Sequence, residues 1–230
     1  MGHFVDLNSA DGFVFPAWVA EPDTAPRGAI VVLQEIFGVN PHIRAVADRL
    51  AARGYLAVAP ATFHRVQQGV DLGYTAEDVS AGAALKAAVE GLAAPGVLPD
   101  IQAAIDYAGQ RSGRKVGVVG FCWGGLLTWR AACLLQGLSA AVPYYGGGMT
   151  SEAEAGRTPQ VPVLAHFGQR DKHIPVDGVQ AFARAHPEVE VHIYEADHGF
   201  NCDQRGSYDE AAALAARDRT LAFFDKHLAG

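Results

Sequence analysis

Cys122 sits in Gly120-Phe121-Cys122-Trp123-Gly124-Gly125, after the apolar run Val116-Gly117-Val118-Val119 and before Leu126–Ala132. The run reads as a strand buried on both faces, and the following stretch as a helix. A Gly-x-nucleophile-x-Gly turn between strand and helix lifts its central side chain above the sheet. The helix dipole at that point favours thiolate over thiol. The turn is too tight for side chains two residues to either side, which is why glycine stands there. Cys122 is therefore a candidate nucleophile. The bland alternative is a packing residue, since free Cys is often buried and Gly-rich turns are common in α/β proteins.

A thiol nucleophile needs a base, and the base needs an acid to orient it. Asp171 lies in the loop Gln169–His173, and His198 in Asp197-His198-Gly199-Phe200, giving the chain order nucleophile, acid, histidine. His198 would take or share the thiol proton, protonate the leaving alkoxide and later activate water. Asp171 would fix the imidazole tautomer and stabilise the imidazolium. An Asp after a strand is also a common turn former or helix cap. Asp177 reads as an N-cap and Asp197 adjoins the histidine itself, so neither is preferred as the acid. His166 and His173 compete with His198, but only His198 follows the last predicted strand.

The elements that must position these residues alternate. Strands are expected at His3–Leu7, Phe13–Ala20, Ala29–Leu33, Tyr55–Ala59, Val116–Gly120, Ala140–Tyr145, Val163–Gly168 and Val189–Tyr194. Pro16 argues that the second lies at a sheet edge. Helices are expected over Ile43–Arg53, Glu77–Leu92, Asp100–Gln110, the stretch after the elbow, around Val179–Arg184, and from Tyr208 to His227, with Thr62–Gly73 a loop. This predicts one α/β domain over 1–230, with a mostly parallel central sheet and helices on both faces. In such sheets ligands sit beyond the carboxyl ends of the strands. Cys122, Glu35, Asp171 and His198 all fall there, so one rim should carry all four.

Composition narrows the function classes. With 18 basic and 25 acidic residues the net charge is −7, and no basic cluster appears. Nucleic acid and anionic membrane surfaces are disfavoured as partners. Cys122, Cys133 and Cys202 suggest no disulfide framework and lack zinc-ligand spacing, so neither metal nor other cofactor is expected. The N-terminus carries no secretory pattern and no apolar run is long enough to span a bilayer. A cytoplasmic protein acting on a small molecule, as a monomer or small homo-oligomer, is the expectation.

Four segments carry a resemblance: Gln34-Glu35-Ile36-Phe37-Gly38-Val39-Asn40, Gly120–Gly125, Tyr144-Tyr145-Gly146 and Asp197-His198-Gly199-Phe200. In this order, over nearly the whole chain, they resemble the dienelactone hydrolase family. The resemblance implies an α/β-hydrolase fold and a Cys122-Asp171-His198 triad acting on small esters or lactones through an acyl-enzyme. It further implies that Glu35 contacts the Cys122 thiol and helps switch it to thiolate, and that the backbone N–H groups of Ile36 and Trp123 form the oxyanion hole. Phe37, Phe63, Trp123, Tyr144, Tyr145 and Phe200 are candidate pocket walls, Tyr144 being the most core-like; Cys202 should pack near the site. Family members acting on dienelactone carry an Arg four residues after the histidine, where this chain has Cys202. Arg205, Arg65 and Lys86 are the available substitutes for a carboxylate clamp. The rival reading is a non-hydrolytic thiol protein of the same fold, using Cys122 for redox sensing or ligand binding.

Overall fold

The computed structural model describes residues 2–229. In chain order the elements are β1 (His3–Asn8), β2 (Val14–Ala20), β3 (Gly28–Leu33), α1 (Pro41–Ala51), β4 (Tyr55–Pro60), α2 (Ala76–Glu90), α3 (Leu98–Ser112), β5 (Val116–Phe121) and α4 (Trp123–Leu134). There follow β6 (Leu138–Tyr144), α5 (Glu152–Ala155), β7 (Val163–Gly168), α6 (Val176–Ala185), β8 (Val189–Tyr194) and α7 (Glu210–Leu228). The eight strands form one sheet in the order β1-β2-β4-β3-β5-β6-β7-β8. Pairings β1–β2 and β2–β4 are antiparallel and the rest parallel. The mostly parallel sheet expected from the alternation is therefore present.

Strands β3, β4, β5 and β7 are buried along their full length. That is why they read as unbroken apolar runs: a strand covered on both faces has no solvent side on which to place polar residues. Helices α1 and α7 share one face, where they line a common cavity over β5, and α3 and α4 pack together on the other. The first helix starts sharply because the Asn40 side chain accepts from the Ile43 N–H at 3.2 Å and Pro41 opens the helix with its φ already suitable. Among the described residues no helix is long and apolar enough to cross a membrane.

Two expectations need correction. Strand β2 is not an edge: it lies between β1 and β4. Pro16 is tolerated because the β2–β4 register runs only from Ala17 to Ala20, so its missing N–H falls beyond the ladder. Asp177 is not a cap: the N-cap of α6 is Pro175, with Asp177 in the first turn, where a carboxylate suits the helix dipole. The stretch between β6 and β7 contains the short helix α5, too brief to leave a periodic signal.

Candidate active site

The turn from β5 to α4 holds Cys122 at φ 56°, ψ −116°, a conformation that costs a non-glycine residue about 1–3 kcal/mol. The turn is pinned by the Cys122 N–H donating to the Tyr144 carbonyl at 3.1 Å, and by the Gly125 and Leu126 N–H groups donating to the Cys122 carbonyl. A Cβ on Gly120 would lie 2.1 Å from the Gly124 carbonyl oxygen, and one on Gly124 would lie 2.3 Å from that of Leu33. The glycines of the motif are thus required by close backbone approach. The thiol is partly exposed, whereas Cys133 and Cys202 are buried.

His198 and Asp171 come from different loops on the same rim. The His198 Nδ1 is 2.7 Å from Asp171 Oδ2. The other carboxylate oxygen accepts the backbone N–H groups of His173 (2.8 Å) and Ile174 (3.2 Å), which fixes its orientation. Burial opposes charge on the imidazole, but the Asp171 carboxylate and the Cys122 sulfur outweigh it and push its pKa from 6.5 up to about 10. None of the competitors takes the place of His198 or Asp171 in this pair. His166 is fully buried and bound to Tyr194 and Thr220 hydroxyls; burial drives it well below its ordinary range. His173 lies edge-on to His198 with ring centroids 5.3 Å apart, and Asp197 is exposed, accepting the His198 N–H.

The raised pKa of His198 has a measurable consequence. A group whose folded pKa exceeds its unfolded value adds stability that is complete below the unfolded pKa and is lost as pH rises through the folded one. Urea melts of wild type and His198→Gln should differ by on the order of a few kcal/mol near pH 6, a gap that closes by about pH 10. A gap that ignores pH would contradict the proton on His198.

Glu35, just past β3, is completely buried. Its Oε1 accepts from an Arg205 N–H at 3.0 Å, and the Tyr74 hydroxyl approaches Oε2 at 3.5 Å. Arg205 stands over the rings of Phe37 and Tyr74, with its carbon 5.6 and 5.8 Å from their centroids. Room for it exists because Gly199, at φ +79°, has no side chain: a Cβ there would lie 2.6 Å from the guanidinium. Of the three candidate clamps, then, Arg205 alone reaches the Glu35 side of the rim. Arg65 is held by Asp11 and Asp100, and Lys86 is partly buried on α2, where its charge acts on Glu90. Cys202 is buried beside Glu35, and burial together with that carboxylate pushes its thiol up to about 11.

All six candidate wall aromatics are buried, each at most 2% exposed. Tyr145 lies beside the histidine, its ring 5.2 Å from His198 and 5.3 Å from Phe200, with φ 36° and a buried hydroxyl that has no partner among the described residues. Phe63 stacks on Trp123, whose indole N–H donates to Glu90; this pair forms a layer behind the elbow. Tyr144 is core, its hydroxyl 2.6 Å from that of Thr220. Ile36 is held by the approach of α2, since a Cβ on Gly82 would lie 2.2 Å from the Ile36 carbonyl oxygen. The Trp123 N–H is the first of α4 and has no acceptor within its helix. A cavity of about 220 Å³ between α1 and α7 does not include Cys122.

Sequence reasoning missed Tyr74, Asn40 and His42. Asn40 donates to the Tyr74 hydroxyl at 3.0 Å and to the Leu72 carbonyl, tying the Thr62–Gly73 stretch and the adjoining Tyr74 to the rim. The N-cap position of Asn40 was readable, but nothing local linked it to Tyr74.

Comparison with known proteins adds an independent line. The dienelactone hydrolase family model matches residues 15–228. The carboxymethylenebutenolidase of Pseudomonas putida is 37% identical, with 95% of this chain and 94% of that protein covered. A Synechocystis protein provisionally given the same name is 35% identical over 92% of this chain and 91% of its own length. A structure from Klebsiella pneumoniae, provisionally classed as a dienelactone hydrolase, superposes with a TM-score of 0.84 at 32% identity, covering 98% of each chain. The chain belongs to the dienelactone hydrolase family, with that family's α/β fold, and is a hydrolase of the lactone and ester type.

Proposed function

We propose that this chain hydrolyses small esters or lactones through a thioester on Cys122, with His198 as proton carrier and Asp171 as its orienting acid. The observation that carries the reading is the 2.7 Å contact between Asp171 and His198, on the rim that also holds the strained, partly exposed Cys122. The Cys122 sulfur attacks the substrate carbonyl, and the oxyanion is held by the N–H groups of Ile36 and Trp123. The C–O bond then breaks, and the alkoxide leaves with a proton from His198. Water, deprotonated by His198, cleaves the thioester and releases the acid. Tyr145, Phe37 and Phe200 wall the acyl group, with Phe63 behind.

Glu35 and Arg205 define the substrate class. A guanidinium paired with an internal carboxylate is already shaped for carboxylate, and a substrate bearing one would compete with Glu35 for it. The preferred substrates are therefore esters or lactones with a free carboxylate near the scissile bond. Glu35 released from Arg205 can approach the Cys122 thiol and draw off its proton as substrate binds.

Steady-state hydrolysis of aryl esters and five- and six-membered lactones, each with and without a carboxylate, tests this. Wild type should turn over and favour the carboxylated members, while Cys122→Ala should be inactive throughout. Turnover that survives Cys122→Ala would eliminate the thioester. A folded wild type with a reactive thiol and no turnover would instead favour redox sensing or ligand holding.

A further inference from the structure

A ring nitrogen of His42, a carboxylate oxygen of Glu35 and the sulfur of Cys202 lie within 4.8 Å of one another, all three residues buried. Carboxylate, imidazole and thiol together are the donor set of a thiophilic divalent cation such as zinc. Positions 35, 42 and 202 are too far apart in the chain for any spacing rule to reveal the group, and the sequence-based expectation was no metal.

The state of His42 is the second, independent observation. Its Nδ1 faces Asp203 Oδ1 at 3.3 Å, while its Nε2 is buried with no hydrogen-bond partner among the described residues. A buried polar nitrogen left without a partner is uncommon and calls for a cause. With the Nδ1 proton given to Asp203, Nε2 carries a free lone pair. A carboxylate on the far nitrogen is what metal-ligating histidines ordinarily have, because it sets the tautomer and raises the basicity of the ligating atom. Phe121, edge-on at 6.2 Å, helps hold the ring.

We propose that Glu35, His42 and Cys202 bind a zinc-class divalent cation in place of the Glu35–Arg205 ion pair. The thiol releases its proton to solvent on binding, so carboxylate and thiolate together balance the two positive charges. Bonds of roughly 2.0–2.3 Å in a tetrahedral arrangement bring donors to about 3.5 Å from each other, so the three side chains close up slightly around the ion. The cation displaces Arg205 from Glu35, and Arg205, still 21% exposed at its side chain, turns to solvent. The fourth position stays open. If the thioester mechanism above holds, the ion would hold Glu35 away from the Cys122 thiol and slow turnover.

Cobalt(II) titration of the Cys122→Ser protein tests the site without calling on activity, and serine at 122 removes the competing thiol. The expected result is a near-ultraviolet thiolate-to-cobalt band with the visible spectrum of a tetrahedral ion, competed away by zinc. Adding Cys202→Ser should abolish the ultraviolet band. Asp203→Asn, an isosteric change at a half-exposed position, should weaken affinity 10- to 100-fold, roughly the usual effect of losing a histidine's outer partner. No cobalt binding, an unchanged band after Cys202→Ser, or an Asp203→Asn protein that binds as well as its parent would each overturn the proposal. Loss of turnover on every ester and lactone would overturn the hydrolytic reading and leave the spectrum standing.

Discussion

His198→Ala is expected to lower kcat/KM for a good ester by roughly 10⁴- to 10⁶-fold, and Asp171→Asn alone by about 10⁴-fold. The two losses should not add: in the His198→Ala protein, Asp171→Asn should change the rate by less than about tenfold. The reason is geometric. In the proposed mechanism Asp171 acts only through His198, to which it is joined at 2.7 Å, and its second oxygen is already occupied by two backbone N–H groups. Removing the imidazole leaves the carboxylate nothing to orient. Single-turnover rates on a chromogenic ester for the four proteins would decide the matter, with circular dichroism showing that each is folded. Independent, multiplicative losses would mean that Asp171 acts on substrate directly or through stability alone.

The range over which each feature is determined explains which parts of the molecule were legible in the sequence and which were hidden. The elbow at Cys122 is local: glycines stand at 120 and 124 because an added Cβ would lie 2.1 or 2.3 Å from a backbone oxygen, and the pattern is complete within a short window. The parallel strands are legible for a similar reason, since two-sided burial prints an unbroken apolar run. Histidine choice was less local, yet chain order sufficed to prefer His198 over His166. The structure adds why: His166 is sealed in the core against Thr220 and Tyr194.

The proposed carboxylate clamp shows the limit. The position four residues past His198 holds Cys202, and motif spacing alone would place a gap there. In the fold, the residues from 199 to 205 make successive turns, with Cys202 N–H bonded to Gly199 and Arg205 N–H bonded to Cys202. Those turns carry Arg205 back across the rim to Glu35. A loop's path depends on tertiary hydrogen bonds that spacing does not encode, so three cations stood as equals in the sequence and one in the structure. The same holds for Tyr74 and Asn40, brought together from two loops by a bond at 3.0 Å.

Arg205→Met should be the most destabilising single change at the rim, by about 3–5 kcal/mol, because it leaves the fully buried Glu35 carboxylate without its cation. For a chain of this size that is a fall in Tm of roughly 10 °C. Methionine keeps contact with the faces of Phe37 and Tyr74, so the loss isolates charge rather than packing. Adding Glu35→Gln removes the orphaned charge, and the double variant should recover most of the lost stability, giving a coupling energy of about 2 kcal/mol or more. Its hydrolysis should lose the preference for carboxylated substrates while its KM for uncharged esters stays near that of Glu35→Gln. Thermal melts of the four proteins supply the coupling, and the substrate panel supplies the selectivity. Strictly additive melts would show that Glu35 rests on other partners than Arg205, and a double variant that still prefers carboxylates would place the clamp elsewhere on the rim.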